Sequence, residues 1–368
     1  MLLIKDQRDK ILIPLQSVCG IVEKRHTLPI LSNVLIEKSG DQLTLLATDI
    51  EIQIRTHTAG AAGTDKIAVT VGARKLQDIL RSLPDSAEVS LELADKRMQV
   101  RAGKSRFNLQ TLPSEDYPRM APPDGEQIRL QLTQKQFKRL IGFVQYAMAQ
   151  QDIRYYLNGL LLVAIGNEIR VIATDGHRLA YASETLPDSV QKSEVILPRK
   201  TILELSRLLA DNDDPLDIRL TPNQAVFRFG DIELVSKLID GKFPDYERVI
   251  PKNHNKVLSI PRLALLQSLH RAAILTNEKF RGVRIVLAPG SLKIISSNAD
   301  QEEAQEEIEV QYDSDALDIG FNVTYLLDVL NNVSDENVEI RLADANSSAL
   351  ITLPGNERFK YVVMPMRI

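Results

Sequence analysis

Read for apolar and polar positions alone, the chain repeats one pattern three times. The first copy runs from Leu28-Pro29-Ile30-Leu31 through Val34-Leu35-Ile36 and Leu43-Thr44-Leu45-Leu46 to Thr48-Asp49. The second runs from Tyr156 through Leu160-Leu161-Leu162-Val163 to Ile172-Ala173-Thr174-Asp175, and the third from Phe280 through Val283-Arg284-Ile285-Val286-Leu287 to Ile294-Ile295 and Asp300. Each copy is two strand-like apolar runs around a short polar turn, closing on an aspartate. The closing residues 49, 175 and 300 lie about 125 residues apart, too long for a solenoid unit and right for whole domains.

Helical periodicity flanks each hairpin. Before it, Leu15, Val18, Cys19 and Val22, then Phe137, Leu140, Ile141 and Val144, fall at i, i+3, i+4, i+7; Leu266, Leu269 and Ala273 form a looser third stripe. After it come Leu76, Ile79, Leu80 and Leu83, then Ile202, Leu205 and Leu209, then Leu326, Val329, Leu330 and Val333. Further strand-like runs close each unit, at Val89–Val100 and Arg106–Thr111, at Leu216–Leu220 and Ala225–Leu238, and at Val338–Leu342 and Ala349–Pro354, with Tyr361–Met364 last. The expected fold class is α+β: three tandem similar domains, each two helices on antiparallel sheets. Turn-forming residues near Pro122-Pro123-Asp124-Gly125 and Pro251-Lys252-Asn253 put the domains at 1–123, 124–251 and 252–368.

Composition then excludes several classes. The charges before residue 10 break any leader-like run, no apolar stretch approaches the ~18 residues of a membrane span, and the single Cys19 has no partner for a disulfide; the expected setting is a reducing cytosol. The net charge of −4 argues against simple nucleic-acid affinity, and the absence of Trp against a single-strand stacking platform. Location matters more than the total. The three units carry +2, −2 and −4; unit one concentrates Lys96, Arg97, Arg101, Lys104 and Arg106, and unit three Glu302, Glu303, Glu306 and Glu307. Such opposed strands suit a head-to-tail contact between copies, or are two solvated faces. Basic residues off the helical stripes (Lys24, Arg25, Arg74, Lys75, Arg81, Lys135, Lys138, Arg139, Arg199, Lys200 and Arg207) would together line a phosphate-holding surface, although any one of these helices is an ordinary solvated face.

Catalytic and cofactor motifs are missing: no phosphate-binding loop, no HExxH, no cysteine cluster, and five histidines without ligand spacing. No metal, cofactor or catalytic residue is therefore expected. His177 beside Asp175 invites an acid–base reading, but the other repeats carry no His there. The repeated Asp49, Asp175 and Asp300 leave one alternative open, a metal-dependent hydrolase; the simpler reading is that each bonds its own turn. A repeat scaffold with no DNA role is a third possibility.

Three tandem units of this size, the segment Ala173-Thr174-Asp175-Gly176-His177-Arg178-Leu179-Ala180, the stretch Phe243-Pro244-Asp245-Tyr246 and the terminus Tyr361-Val362-Val363-Met364-Pro365-Met366-Arg367 together resemble the β subunit of bacterial DNA polymerase III, the sliding clamps. The resemblance covers essentially the whole chain. It implies a homodimeric six-domain ring around duplex DNA, independent of sequence, that tethers the replicative polymerase and receives the clamp loader, other polymerases and repair proteins through short apolar peptides, with no membrane role. It implies DNA contacts at Arg25, Arg74, Gln151, Tyr155 and Tyr156; the two tyrosines read by themselves as strand-edge packing. It implies a dimer contact of Phe107 and Leu109 against Ile274 and Leu275. The implied partner pocket has apolar members Leu157, Leu179, Pro244, Val249, Val362, Met364, Pro365 and Met366, with Thr174, Gly176, Arg248, Ser348 and Arg367 around them and Arg154, His177 and Arg178 as polar anchors at the rim.

Overall fold

The structure, a computed structural model, describes residues 1–23, 28–61, 63 and 65–368. Along the first repeat these form β1 (Leu2–Gln7), α1 (Arg8–Cys19), β2 (Asn33–Ser39), β3 (Gln42–Thr48), β4 (Ile52–Ala59), β5 (Ile67–Gly72), α2 (Ala73–Ser82), β6 (Glu88–Ala94), β7 (Arg97–Ala102) and β8 (Ser105–Leu112). Along the second they form β9 (Ile128–Thr133), α3 (Gln134–Val144), β10 (Gly159–Thr174), β11 (Arg178–Pro198), α4 (Arg199–Leu208), β12 (Pro215–Leu220), β13 (Gln224–Phe229), β14 (Ile232–Lys237) and the single-turn α5 (Tyr246–Val249). The third contributes β15 (Lys256–Pro261), α6 (Arg262–Ala273), β16 (Gly282–Ala288), β17 (Ser291–Ser297), β18 (Glu303–Glu309), β19 (Leu317–Asn322), α7 (Val323–Asn332), β20 (Asn337–Leu342), β21 (Ala349–Leu353) and β22 (Asn356–Val363). No helix among the described residues is long and apolar enough to cross a membrane.

The helical stripes are buried as their spacing requires. Leu76 and Leu80 of α2 are fully buried while Arg74, Lys75 and Arg81 stay exposed; Phe137, Leu140, Ile141 and Val144 are buried, as are Leu326, Val329 and Leu330 of α7. Three details differ. Helix α1 ends at Cys19, so Val22 is buried from the following turn. Ile79 is only half-buried, and Ala73 and Gln77 fill the inner face instead. In α6 Leu269 and Ala273 are buried as expected, with Ala272 beside them, but Leu265 takes the inner position in place of Leu266, because adjacent leucines at 265 and 266 let periodicity alone choose either. The turn expected near residue 166 lies within β10, marked by Gly166 at φ +56° and register shifts on both sides.

Contacts divide the chain into two compact units, residues 1–135 with 203–238, and residues 136–202 with 239–368. The first carries a twelve-stranded sheet in the order β1-β6-β7-β8-β5-β2-β3-β4-β14-β13-β12-β9. The second carries a six-stranded sheet, β10-β11-β22-β21-β20-β15, and a four-stranded sheet, β18-β17-β16-β19. All strand pairs among the described residues are antiparallel, and one arrangement occurs in both units. The strand that follows the Thr-Asp turn pairs with the last strand of the next repeat: β4 with β14, from Ile52–Ser236 to Thr56–Ile232, and β11 with β22, from Arg178–Val363 to Ala182–Phe359. The third strand of this kind, β18, is the edge of its sheet. The last strand of the first repeat, β8, pairs with β7 but meets β5 only at Thr111 and Leu112, which leaves Ser105–Gln110 with one open edge among the described residues.

Candidate functional site

The closing aspartates are backbone anchors. Asp49 Oδ1 accepts from the N–H groups of Glu51 (2.9 Å) and Ile52 (2.8 Å); Asp175 Oδ1 accepts from those of His177 (2.9 Å) and Arg178 (3.1 Å). The preceding threonines match as well: Thr48 Oγ1 donates to Ile52 O, and Thr174 Oγ1 to Arg178 O. The residue after each aspartate is left-handed, Ile50 at φ +71° and Gly176 at φ +91°. In the third repeat Asn298, not Asp300, takes the part, with its Oδ1 accepting from the N–H groups of Asp300 and Glu302 (both 3.0 Å). The expectation for Asp300 is corrected: the turn is one residue longer, and the side chain that reaches back-facing N–H groups sits at its start. The Asp49 and Asp175 carboxylates are spent on their own turns, and no group of three or more His, Cys, Asp or Glu able to hold a metal occurs among the described residues, so the metal-hydrolase alternative has no support.

The second turn is built into a larger arrangement. Asp175 Oδ2 accepts from Arg178 Nε (3.0 Å), Arg178 Nη1 reaches Asp328 Oδ2 (2.5 Å), and Nη2 donates to the Tyr146 carbonyl (2.6 Å). The guanidinium lies 4.5 Å above the Tyr325 ring, and the His177 ring stacks on the same tyrosine at 6.5 Å and 17°. Arg178 is thus not a rim anchor: its side chain is 9% exposed, with two carboxylates and a carbonyl occupying the fork. Burial pushes the neighbouring Tyr146 hydroxyl well above its usual pKa, and that hydroxyl has no hydrogen-bond partner among the described residues. Arg154 is the exposed cation beside this turn. It pairs with Asp152 (2.8 Å) and lies over Gly176, where a Cβ would stand 3.1 Å from its guanidinium nitrogens. The Arg154 side chain and then its backbone N–H hold Asp152 down at about 2, so the pair persists through neutral pH and is lost only as pH falls through that value.

Below this turn, Leu157, Leu179 and Val362 belong to a buried cluster with Phe243, Tyr181 and Leu350, covered by the half-buried Tyr156, Tyr246 and Ile250. These three expected pocket residues are therefore members of the core rather than of the accessible surface. Met364 (49% exposed), Val249, Pro244 and Arg248 are the accessible members; Pro365 and Met366 are half-buried, and Arg367 is exposed. Thr174 is buried and committed to its turn, and the Ser348 carbonyl takes His254 Nε2 at 2.6 Å. The sequence reading missed Tyr325, Asp328 and Ile250. The signal for the first two was there: α7 has no Lys or Arg, so an Asp one turn from a half-exposed Tyr needed a cation from elsewhere.

The other expected sites scatter. Gln151 (exposed, φ +54°), Tyr155 and Tyr156 share the loop 149–158, closed by reciprocal bonds between Asn158 and the Asp152 backbone and by Ala149 N–H to Leu157 O. Tyr155 is exposed, while Tyr156 packs against Gly241 and meets Tyr155 edge-on. Arg74 lies in the other compact unit, exposed on α2, with Nη2 donating to the Val22 carbonyl (2.6 Å). Arg25 lies outside the described residues. Phe107 and Leu109 are half-buried on β8; Ile274 is 77% exposed at the end of α6 beside half-buried Leu275.

Comparison with known proteins supplies the family. The N-terminal, central and C-terminal domains of the DNA polymerase III beta subunit match residues 3–121, 131–245 and 247–367. The chain is 47% identical over 363 residues to the beta sliding clamp of Pseudomonas putida and 45% identical over 362 residues to that of Escherichia coli K12, covering 98% of this chain and 99% of each relative. Among solved structures, it superposes on the Pseudomonas aeruginosa DNA polymerase III subunit beta with a TM-score of 0.96 at 45% identity, and on the Caulobacter crescentus clamp with 0.92 at 38%, each over the whole of both chains. A P. aeruginosa clamp bound to griselimycin matches equally well, at 0.96. With all three domains present in order and full-length likeness in sequence and structure, the chain belongs to the DNA polymerase III beta subunit family, the sliding clamps that serve DNA replication as non-catalytic processivity factors.

Proposed function

We propose that two copies join head to tail into a ring around duplex DNA and tether the replicative polymerase there, with β18 of one copy pairing with the open edge of β8 of the other. The observation that carries this reading is the repeated junction: β4 takes β14 and β11 takes β22, and β18 and β8 are the corresponding strands left over. An unpaired edge is a template for addition of another strand. Lys96, Arg97, Lys104 and Arg106 on one side and Glu303 on the other complement it in charge, and Ile274 with Leu275 meets Phe107 and Leu109 at its centre. Glu306 is partly occupied by Arg271, so apolar contact and strand pairing carry more of the contact than charge does. The domains are those bounded near residues 123 and 251. Solution mass, together with retention on nicked circular DNA that is lost when the circle is cut, tests the ring; a monomer, or retention that survives linearisation, refutes it.

A ring holds DNA by topology, so phosphate contacts at Arg25, Arg74, Gln151, Tyr155 and Tyr156 need only be weak and indifferent to base sequence. Arg74→Ala is expected to shallow the slope of log affinity against log salt by about 0.9, one phosphate's worth, with equal loss on every DNA sequence tested. An unchanged slope removes Arg74 from the contact.

Partners (the polymerase, the clamp loader and repair proteins) present short apolar segments to the surface formed by Met364, Pro365, Val249, Pro244 and the His177–Tyr325 stack, where the thioether of Met364 adapts its shape. A P. aeruginosa relative binds griselimycin, and this surface is the place where the same compound is expected to enter here. Deleting residues 364–368 is expected to leave the dimer and its retention on DNA intact, because β22 ends at Val363, while polymerase stimulation and griselimycin binding are lost. Full-affinity binding by the truncated ring means the pocket lies elsewhere.

A further inference from the structure

The last residues of the chain are seated on two glycines. Met364 N–H donates to His177 O (2.9 Å), on the turn of the partner surface; two residues on, Met366 N–H donates to Gly320 O (2.8 Å) and bridges to the edge of β19. Neither Gly320 on β19 nor Gly282 on the paired strand β16, where it stands opposite Asn322, has a positive φ, so conformation does not require glycine at either place. Space does. A Cβ on Gly320 would stand 2.5 Å from the Met366 carbonyl oxygen and 2.8 Å from Cδ1 and Cγ1 of Ile368. A Cβ on Gly282 would meet Ile368 Cδ1 at 3.2 Å and Met366 Sδ at 3.6 Å. The first contact includes backbone, so the Met366–Ile368 segment itself must shift to admit a Cβ, whereas the second touches only the ends of two side chains.

We propose that Gly320 and Gly282 are positioning residues of the partner site: a seat without side chains that clasps Met366 and Ile368 and so fixes Met364 and Pro365 where a partner's apolar anchor lands. The seat deepens the pocket reading above and rests on it. Without the clasp, the five residues after β22 keep one backbone bond, at Met364, and the accessible apolar wall loses its shape; ordering it then counts against binding.

The test uses the full-length protein and griselimycin as the probe, with calorimetric titration and methyl NMR of the methionines. Gly320→Ala is expected to shift the Met364 and Met366 methyl signals and to weaken griselimycin about tenfold or more, with solution mass unchanged. Deleting 366–368 is expected to weaken it to a like extent, and adding Gly320→Ala to that deletion to cost nothing further, since the clash has lost its object. Gly282→Ala is expected to weaken binding less, and Ile368→Ala to restore it. These variants keep the test open if Gly320→Ala fails to fold. If wild-type protein binds griselimycin and Gly320→Ala binds it equally well, or if its loss adds in full to that of the deletion, the seat is refuted while the pocket reading stands. If wild-type protein takes up no griselimycin, the pocket reading fails and the seat's role fails with it.

Discussion

Ile274→Ala with Leu275→Ala is expected to turn the ring into monomers. Ile274 is the most exposed large aliphatic side chain at the end of α6, and its neighbour Leu275 is half-buried. An apolar pair held in water beside the open edge of β18 gains only when another surface covers it. Truncating such central anchors costs at least ~2 kcal/mol each. A two-subunit head-to-tail ring has two identical seams, so both substitutions count twice and the expected total is ~8 kcal/mol, about a millionfold in the dimer dissociation constant. The substitutions touch little within the monomer, so its melting transition should persist. Sedimentation velocity at nanomolar concentration reads the result directly; a double variant that still sediments as a dimer there removes Ile274 and Leu275 from the contact.

The second large effect is expected at Arg178. Its fork is the counter-charge for Asp175 on its own turn and for Asp328, which lies 150 positions further along the chain from Arg178, and Arg178→Ala would leave the two carboxylates facing the same vacated space. Removing one partner of a fully buried pair costs ~3–5 kcal/mol; with Asp328 a third exposed, ~2–3 kcal/mol of stability is the expected loss. Arg178→Lys should rescue little, because a single ammonium cannot meet two carboxylates and the Tyr146 carbonyl in three directions. Arg178→Ala should also weaken griselimycin, since the His177 turn and Tyr325 both rest on the guanidinium. A loss below ~0.5 kcal/mol in chemical denaturation would rank the arrangement with ordinary surface pairs and refute its structural role.

What could be read in the sequence follows from what each feature depends on. The helices with four-point stripes, at Phe137–Val144 and Leu326–Val333, were legible because burial on one face imposes a period that few other constraints disturb. The aspartate turns were legible twice, at 49 and 175, because an Asx side chain bonds the backbone two and three residues on whatever surrounds it. The third was misread at Asp300: one extra residue moved the donor groups, and spacing alone does not say which of Asn298 and Asp300 faces them. The resemblance places Arg178 at the pocket rim and says nothing of its burial, which depends on Asp328, a partner that only the folded chain brings within reach. The glycine seat was illegible for the same reason. Gly282 and Gly320 sit in ordinary extended strands, and nothing local distinguishes a glycine that makes room from one that merely occurs.

The two junctions within the chain and the proposed β18–β8 seam between copies are alike in strand pairing and unlike in tether. β4 and β14, and likewise β11 and β22, belong to one continuous chain, so if either pair parts, the separated strands still meet at an effective concentration in the millimolar range and re-form at once. The β18–β8 pair has no such leash. Its rejoining, once both seams have parted, depends on how many free copies the solution holds. Dilution therefore acts on that joint alone, and in the proposed ring a machine that must admit DNA has one kind of gate to prise, set by connectivity before any difference in contact strength is considered.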